Sequence, residues 1–212
     1  GFTGSAGFAI VLPTLAGVFI DGRYRTQVKG QVDLAHFTPV PWPEVQPGPW
    51  IKDHLPAGVL GYDPWLHTAD EIAKLETALA GSDVTLRATA NLIDRIWPDQ
   101  PEPPMGRAFV HPEELAGETS GEKRARLAAV LRAEGQTAAV ITLPDSLCWL
   151  LNIRGADVPR NPILHGLAIL HDDARVTLFA EAEKFDAEVK HALGGHVTLR
   201  PVQAFVPALH SL

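Results

Sequence analysis

The chain has 212 residues, of which 46% are hydrophobic, and it carries a formal net charge of −7. This length suits one large or two small domains with a real core, whereas the acidic balance without a basic stripe argues against a nucleic-acid-binding surface. No apolar run reaches the roughly 18 residues that a membrane-spanning helix needs. A single cysteine and an N-terminus without a secretory-signal pattern make a cytoplasmic location the expectation.

Strand and helix signals alternate along the chain, which predicts an α/β fold. Two short apolar runs joined by a turn, residues 8–12 and 18–21, predict a strand hairpin. A helix is predicted over residues 24–32. The segment 39–49 contains five prolines, and we expect it to be an extended surface excursion without regular structure.

Two later helices have strong start signals. Thr68 is followed three residues later by Glu71, and Thr119 is followed in the same way by Glu122. This is the capping-box pattern, in which the hydroxyl and the carboxylate satisfy each other's backbone amides. Apolar residues at helical spacing follow both boxes, and a glycine ends each helix.

Four prolines between residues 98 and 104 exclude a helix or a central strand there. They predict a domain boundary near residue 102, so the expected domains are 1–102 and 103–212. The remaining predicted elements are strands at 84–87, 138–142, 164–170, 176–179 and 197–200 and helices at 92–97, 144–151 and 185–193.

The two halves have a similar order of predicted elements. Residues 4–21 and 155–180 both read as a glycine loop, a strand, a turn and a strand, and both lead into a helix and a further strand. The second half also has a strand and two helices before its loop, over 119–151. We therefore expect the first domain to be truncated, lacking its opening strand and helix, which would leave one sheet edge unpaired.

Glycines at positions 1, 4 and 7 superficially resemble a loop that cradles a phosphate. That mechanism needs a strand before the glycines and a helix after them, so that the helix N-terminus meets the phosphate. Here a predicted strand follows. We therefore interpret these glycines as positions that allow a tight turn and close backbone approach.

Arg23 is the candidate binding residue. It lies just beyond a predicted strand, where ligands gather in α/β sheets. Its guanidinium could grip a carboxylate or a peptide carbonyl through several donors. The alternative is an arginine in a solvated turn, paired with Asp21.

The other polar residues predict no catalytic or metal site within the chain. Arg154 and Asp157, with Arg160 nearby, are interpreted as a salt bridge that orders a loop, and Cys148 lies in an apolar run and is expected to be buried. None of the histidines has the spacing that puts two imidazoles on one helix face. They are His36, His54, His67, His111, His165, His171, His191, His196 and His210.

Five stretches along the chain resemble those of one family, the Xaa-Pro aminopeptidases (aminopeptidase P) of the long, three-domain, cytosolic type. They occur in the family's order and are spread over the whole chain. The stretches are GFTGSAG at 1–7, DGRY at 21–24, GYDP at 61–64, IWPDQP at 96–101 and WLLNIRGADVPRNP at 149–162.

The resemblance implies two tandem, related creatinase/prolidase N-terminal-like domains, each a mixed sheet flanked by helices. In the family, a C-terminal "pita-bread" catalytic domain, which is absent from this chain, binds two divalent metal ions, usually manganese, through two aspartates, a histidine and two glutamates. That domain removes the N-terminal residue of peptides with proline at the second position, and the full-length enzyme is usually a homodimer. The arginine of the DGRY stretch binds peptide, and the matching residue here is Arg23.

On this resemblance, the chain is expected to be the non-catalytic N-terminal part of such an enzyme, which gates the active site and supports dimerisation. It would hold no cofactor of its own. Two alternatives stay open. One is a non-catalytic peptide- or partner-binding module on the same fold, and the other is a sister family such as a prolidase or a creatine amidinohydrolase, although the DGRY and NIRGAD stretches favour aminopeptidase P.

Overall fold

The computed structural model describes residues 1–212, which form two compact units, unit 1 (Gly1–Gln100) and unit 2 (Pro101–Leu212). No helix in either unit combines the length and the apolar character required to cross a bilayer. The elements of unit 1, in chain order, are β1 (Gly7–Val11), β2 (Ala16–Ile20), α1 (Arg25–Gln31), β3 (Phe37–Pro41), α2 (Pro47–His54), β4 (Ala57–Tyr62), α3 (Ala69–Leu79), β5 (Asp83–Ala88) and α4 (Leu92–Ile96).

The main sheet of unit 1 is mixed and has the strand order β1-β2-β3. β1 and β2 form the predicted antiparallel hairpin, and β3 runs parallel to β2 after the crossover through α1. The central strand β2 is buried along its whole length, as a continuous apolar run in the middle of a sheet should be. Phe19 in β2 stacks on Phe8 at 4.7 Å and meets Trp50 edge-on at 5.3 Å. β4 and β5 form a separate parallel pair.

The expectation that residues 39–49 lack regular structure is wrong. Pro39 and Pro41 belong to β3, and Pro47 is the first residue of α2. β3 is an edge strand with β2 as its neighbour, and an edge strand tolerates proline because one of its sides forms no ladder. At the start of a helix the N–H that proline lacks has no intrahelical partner, so nothing is lost there.

Unit 2 contains a mixed four-stranded sheet of order β11-β10-β9-β7 and a separate antiparallel pair, β6 and β8. One cluster of buried aliphatic side chains from α7, β9, β10 and α8 forms most of its core. The elements, in chain order, are β6 (Ala108–Val110), α5 (Glu113–Ala116), α6 (Ser120–Ala133), β7 (Ala138–Ile141), α7 (Pro144–Leu151), β8 (Ile153–Gly155), β9 (Leu167–His171), β10 (Val176–Phe179), α8 (Ala187–Leu193), β11 (Val197–Arg200) and α9 (Phe205–Leu209).

Both predicted capping boxes are present. The N–H of Glu71 donates to the hydroxyl of Thr68 at 3.2 Å, and the N–H of Thr68 donates to the carboxylate of Glu71 at 2.8 Å. Thr119 and Glu122 repeat these two contacts at 3.1 and 2.9 Å. Each box therefore satisfies two backbone donors at the start of its helix, α3 or α6.

The two units share one connectivity. In each, an antiparallel hairpin (β1 with β2, and β9 with β10) leads through a 3₁₀ turn and a helix into a strand parallel to the second strand of the hairpin. The following strand is β3 in unit 1 and β11 in unit 2. β9 also pairs antiparallel with β7, whereas β1 pairs with β2 alone.

Gly155 marks a close backbone approach within the NIRGAD stretch. A Cβ at this position would lie 2.7 Å from the carbonyl oxygen of Ile163 and 2.8 Å from Cα of Leu164. Because these are backbone atoms, they cannot rotate away. We expect Gly155→Ala to lower the free energy of unfolding by about 1–3 kcal/mol, measured by urea denaturation.

The matched control for this prediction is Gly121→Ala in α6. A Cβ there would meet no atom nearer than 3.8 Å, and alanine favours a helix over glycine by up to about 1 kcal/mol. Gly121→Ala should therefore be neutral or stabilising. Equal stability of the Gly155→Ala variant and the parent would contradict the prediction.

Candidate functional site

The candidate site is built at the carboxyl end of β2. The strand ends at Ile20, and Asp21 caps a single 3₁₀ turn (Gly22–Tyr24) that leads into α1. The carboxylate oxygen Oδ1 of Asp21 accepts the backbone N–H of Arg23 at 2.9 Å and its side-chain Nε–H at 2.7 Å. The ion pair with Asp21, which the sequence offered as the alternative to a binding role for Arg23, is therefore present. The Arg23 side chain nevertheless remains 67% exposed.

This ion pair favours the charged form of both groups. The Arg23 side chain, followed by its backbone N–H, lowers the pKa of Asp21 by hydrogen bonding, and the Asp21 carboxylate raises the pKa of Arg23. Asp21 occupies only Nε of the guanidinium, and the terminal nitrogens form no hydrogen bond within the protein. These nitrogens can donate to an oxygen anion or a carbonyl of a bound molecule.

A second ion pair closes the same end of the sheet. Arg25, the first residue of α1, forms a salt bridge with Glu44, which lies just beyond β3. Hydrogen bonding from Arg25 lowers the pKa of Glu44. Because β2 and β3 are parallel, their carboxyl ends meet at this edge, so the pair links the connections that follow the two strands.

Asp157 orders the second motif with a different partner from the one predicted. Its two carboxylate oxygens accept from Nζ of Lys184 at 3.0 and 2.9 Å, and both side chains are buried. Arg154 instead donates to two backbone carbonyls, and Arg160 is exposed and forms no ion pair with Asp157. The interpretation as a loop-holding salt bridge is right, but the partner is wrong. β8 buries the residues on either side of Arg154 and leaves Arg154 itself half-buried.

Two backbone groups complete the surroundings of Asp157. The N–H of Gly106 donates to one carboxylate oxygen at 2.9 Å, and the N–H of His165 donates to the other at 2.7 Å. Burial favours the neutral carboxyl, but the hydrogen bonds from Lys184, His165 and Gly106 outweigh it and lower the pKa of Asp157. One carboxylate therefore joins three separate stretches of unit 2.

Lys123 is a further buried cation that sequence reasoning missed. Its Nζ donates to the backbone carbonyl of Trp149 at 3.0 Å and to the side chain of Asn152 at 2.7 Å, and it lies 4.6 Å from the centroid of the Trp149 ring. Burial lowers the pKa of Lys123. Asn152 adopts the left-handed conformation and ends α7, and an asparagine just after an apolar helix is the signal that could have indicated this cap. These contacts join α6 to the end of α7.

Cys148 is buried, as predicted, and its Sγ accepts the N–H of Leu164 at 3.3 Å. Burial raises the pKa of this thiol, which opposes formation of a nucleophilic thiolate. No group of three or more His, Cys, Asp or Glu side chains is placed where it could hold a metal ion. The buried polar clusters hold loops in place, whereas Arg23 is exposed and keeps its terminal nitrogens free.

We expect Asp157→Asn to lower the free energy of unfolding of unit 2 by about 3–5 kcal/mol, because it leaves the Lys184 ammonium buried without a counter-charge. Chemical denaturation would measure the loss. The control is Asp173→Asn, which removes an aspartate from an exposed ion pair with Arg175 and should have no measurable effect.

The same pair predicts a pH dependence. The folded-state pKa of Asp157 is lowered, so its stabilising effect is complete above the unfolded value of about 3.9 and is lost as the pH falls through the folded value. The stability difference between the parent and Asp157→Asn should be constant near neutrality and disappear in strong acid. A difference that grows on acidification would contradict this assignment.

Comparison with known proteins gives a consistent result. The sequence-family model for the creatinase/prolidase N-terminal domain matches residues 99–212. Aminopeptidase P2 of Arabidopsis thaliana is 33% identical over 225 residues, covering 100% of this chain and 31% of the relative. A probable Xaa-Pro aminopeptidase P of Coccidioides posadasii is 37% identical over 223 residues, covering 100% of this chain and 33% of the relative.

A solved structure gives the same picture. The crystal structure of X-prolyl aminopeptidase from Caenorhabditis elegans, described as a cytosolic enzyme with a di-nuclear active site, matches with a TM-score of 0.91 and 29% sequence identity. The match covers 99% of this chain and 35% of that one. The resemblance predicted from the sequence is thereby confirmed. The chain spans about a third of the length of the relatives it matches.

Proposed function

Because this chain belongs to the creatinase/prolidase N-terminal domain family, we propose that it is the non-catalytic N-terminal part of an Xaa-Pro aminopeptidase. The observation that carries the proposal is similarity over the whole chain to proteins that bear this name. The parent protein would remove the N-terminal residue from peptides with proline at the second position. It would act in the cytoplasm as a homodimer, with these residues gating its active site and supporting dimerisation.

We further propose that residues 1–102 and 103–212 are two related domains of this family. The support is their shared connectivity, in which a hairpin, a 3₁₀ turn, a helix and a parallel strand follow one another in both units. The family model itself matches the second of them.

The two divalent metal ions, which we propose to be manganese, would belong to a catalytic part of the parent protein. The 212 residues offer no fitting group of His, Cys, Asp or Glu side chains. Their contribution to the reaction would be to bind and orient the peptide.

Within this proposal, Arg23 is the substrate-binding residue. Three observations support the assignment: the side chain is exposed, its terminal nitrogens have no partner in the protein, and it stands at the carboxyl end of a central strand. The group it would bind is a backbone carbonyl or a carboxylate of a short peptide, because a guanidinium supplies donors only. By binding one end of a short peptide, Arg23 would help to restrict the active site to such substrates.

The proposal predicts where activity resides. The purified 212-residue chain, with or without manganese, should hydrolyse no Xaa-Pro peptide, whereas the complete product of the gene that encodes it should do so in the presence of a divalent metal. A peptide with alanine at the second position serves as the control substrate. A complete gene product without Xaa-Pro activity would contradict the proposal and favour a peptide- or partner-binding module.

The role of Arg23 predicts a kinetic effect in that complete gene product. Arg23→Ala should raise KM for an Xaa-Pro peptide about tenfold with little change in kcat, because a charge-assisted hydrogen bond to the substrate is lost. Arg175→Ala is the matched control, since Arg175 is equally exposed and also pairs with an aspartate two residues before it. Unchanged KM in Arg23→Ala would remove this residue from the site.

A further inference from the structure

The contact between Asp21 and Arg23 has a close counterpart elsewhere in the chain. In the turn between β9 and β10, Asp173 accepts the backbone N–H of Arg175 at 3.0 Å and its Nε–H at 2.6 Å. The exposed fractions of the two arginine side chains are 67% for Arg23 and 65% for Arg175. An aspartate two residues before an arginine therefore does not by itself mark a binding residue.

A tyrosine ring distinguishes Arg23 from Arg175. The guanidinium carbon of Arg23 lies 5.3 Å from the centroid of the Tyr24 ring, within the range of a cation–π contact. No aromatic ring faces Arg175 in this way. The Asp21 carboxylate therefore contacts Nε of Arg23 and the Tyr24 ring contacts its guanidinium, while the terminal nitrogens of Arg23 stay free.

The Tyr24 ring is itself fixed by the N-terminal glycine loop, residues 1–7. The phenolic oxygen of Tyr24 lies 2.5 Å from the hydroxyl of Ser5, and the ring of Phe2 packs edge-on against Tyr24 at 5.7 Å. The hydrogen bond with Ser5 lowers the pKa of Tyr24. A Cβ at position 4 would lie 2.2 Å from the Phe2 ring, so this position needs a glycine for Phe2 to lie where it does.

The loop is anchored on the helix that follows Tyr24. The N–H of Thr3 donates to the side-chain oxygen of Gln31 at 3.0 Å, and the amide of Gln31 donates back to the Thr3 hydroxyl at 3.0 Å. Gln27, one turn earlier in α1, donates to the same hydroxyl at 3.2 Å. The glycine loop, Tyr24 and α1 are therefore joined by side-chain contacts.

We propose that Ser5 and Tyr24 are positioning residues for Arg23, and that the glycine loop holds these two residues in place. A guanidinium that is held in place before binding loses less side-chain freedom when it binds a carbonyl or a carboxylate. The contacts of Ser5 and Tyr24 should therefore raise the affinity of Arg23 for such a ligand. The identity of the ligand rests on the function proposed above, whereas the ordering of Arg23 can be tested without it.

The test uses NMR on the 212-residue chain. The ¹H–¹⁵N heteronuclear NOE of the Arg23 Nε–H group should exceed that of Arg175 in the parent. Ser5→Ala and Tyr24→Phe each remove the hydroxyl contact that fixes the Tyr24 ring, so each should lower the Arg23 value toward that of Arg175 and leave the Arg175 value unchanged. Tyr62→Phe, at the other tyrosine of the chain, is the control and should change neither.

The double variant Ser5→Ala/Tyr24→Phe should lower the Arg23 value no further than either single variant, because both remove the same contact. The inference is overturned if Arg23 is no more ordered than Arg175 in the parent, or if its order survives both single substitutions. These results are independent of catalysis.

Kinetics then separates the two proposals. If Arg23→Ala raises KM in the complete gene product, Ser5→Ala and Tyr24→Phe should each raise KM severalfold without lowering kcat. An unchanged KM in both variants would overturn a role of Ser5 and Tyr24 in substrate binding. If Arg23→Ala leaves KM unchanged, the proposed substrate role of Arg23 fails, and the NMR result alone decides whether Ser5 and Tyr24 order it.

Discussion

The carboxylate of Asp157 accepts hydrogen bonds from Lys184 and from the backbone N–H groups of Gly106 and His165 inside unit 2. A buried ion pair is tolerated only when its remaining donors and acceptors are satisfied, and no buried side-chain nitrogen or oxygen of the chain lacks a partner. This one carboxylate fixes the segment that leads into β6, the loop after β8 and the turn before α8. The polar residues of the NIRGAD stretch thus stabilise the fold of unit 2.

The charged residues of unit 1 show the opposite arrangement. Asp21 and Arg23 lie at the surface, where solvent weakens their attraction, so the contact contributes little to folding. It leaves the terminal nitrogens of the arginine free, which a fully satisfied buried pair such as Asp157–Lys184 cannot do. Burial therefore distinguishes two kinds of ion pair, one that holds a loop in place and one that leaves hydrogen-bond donors of the arginine free at the surface.

The sequence predicted those features that depend on neighbouring residues. The two capping boxes, the first hairpin and the burial of Cys148 are set by contacts or patterns within a few positions. Prediction from the sequence failed where the structure depends on a contact between residues that lie far apart along the chain. The prolines of residues 39–49 are accommodated because β3 is a sheet edge, and Asp157 finds its cation 27 residues away. β6 and β8 have three residues each, too few to show a periodicity.

Cys148 gives unit 2 a natural probe of its own opening. It is the single thiol of the chain, and it lies in the core beneath the segment that carries Leu164. A thiol reagent can reach it only when α7 and that segment separate, so the labelling rate would report how often this part of the molecule opens. Unit 1 contains no cysteine. Pulse labelling of the unmodified chain would therefore measure local opening of unit 2 without a signal from unit 1.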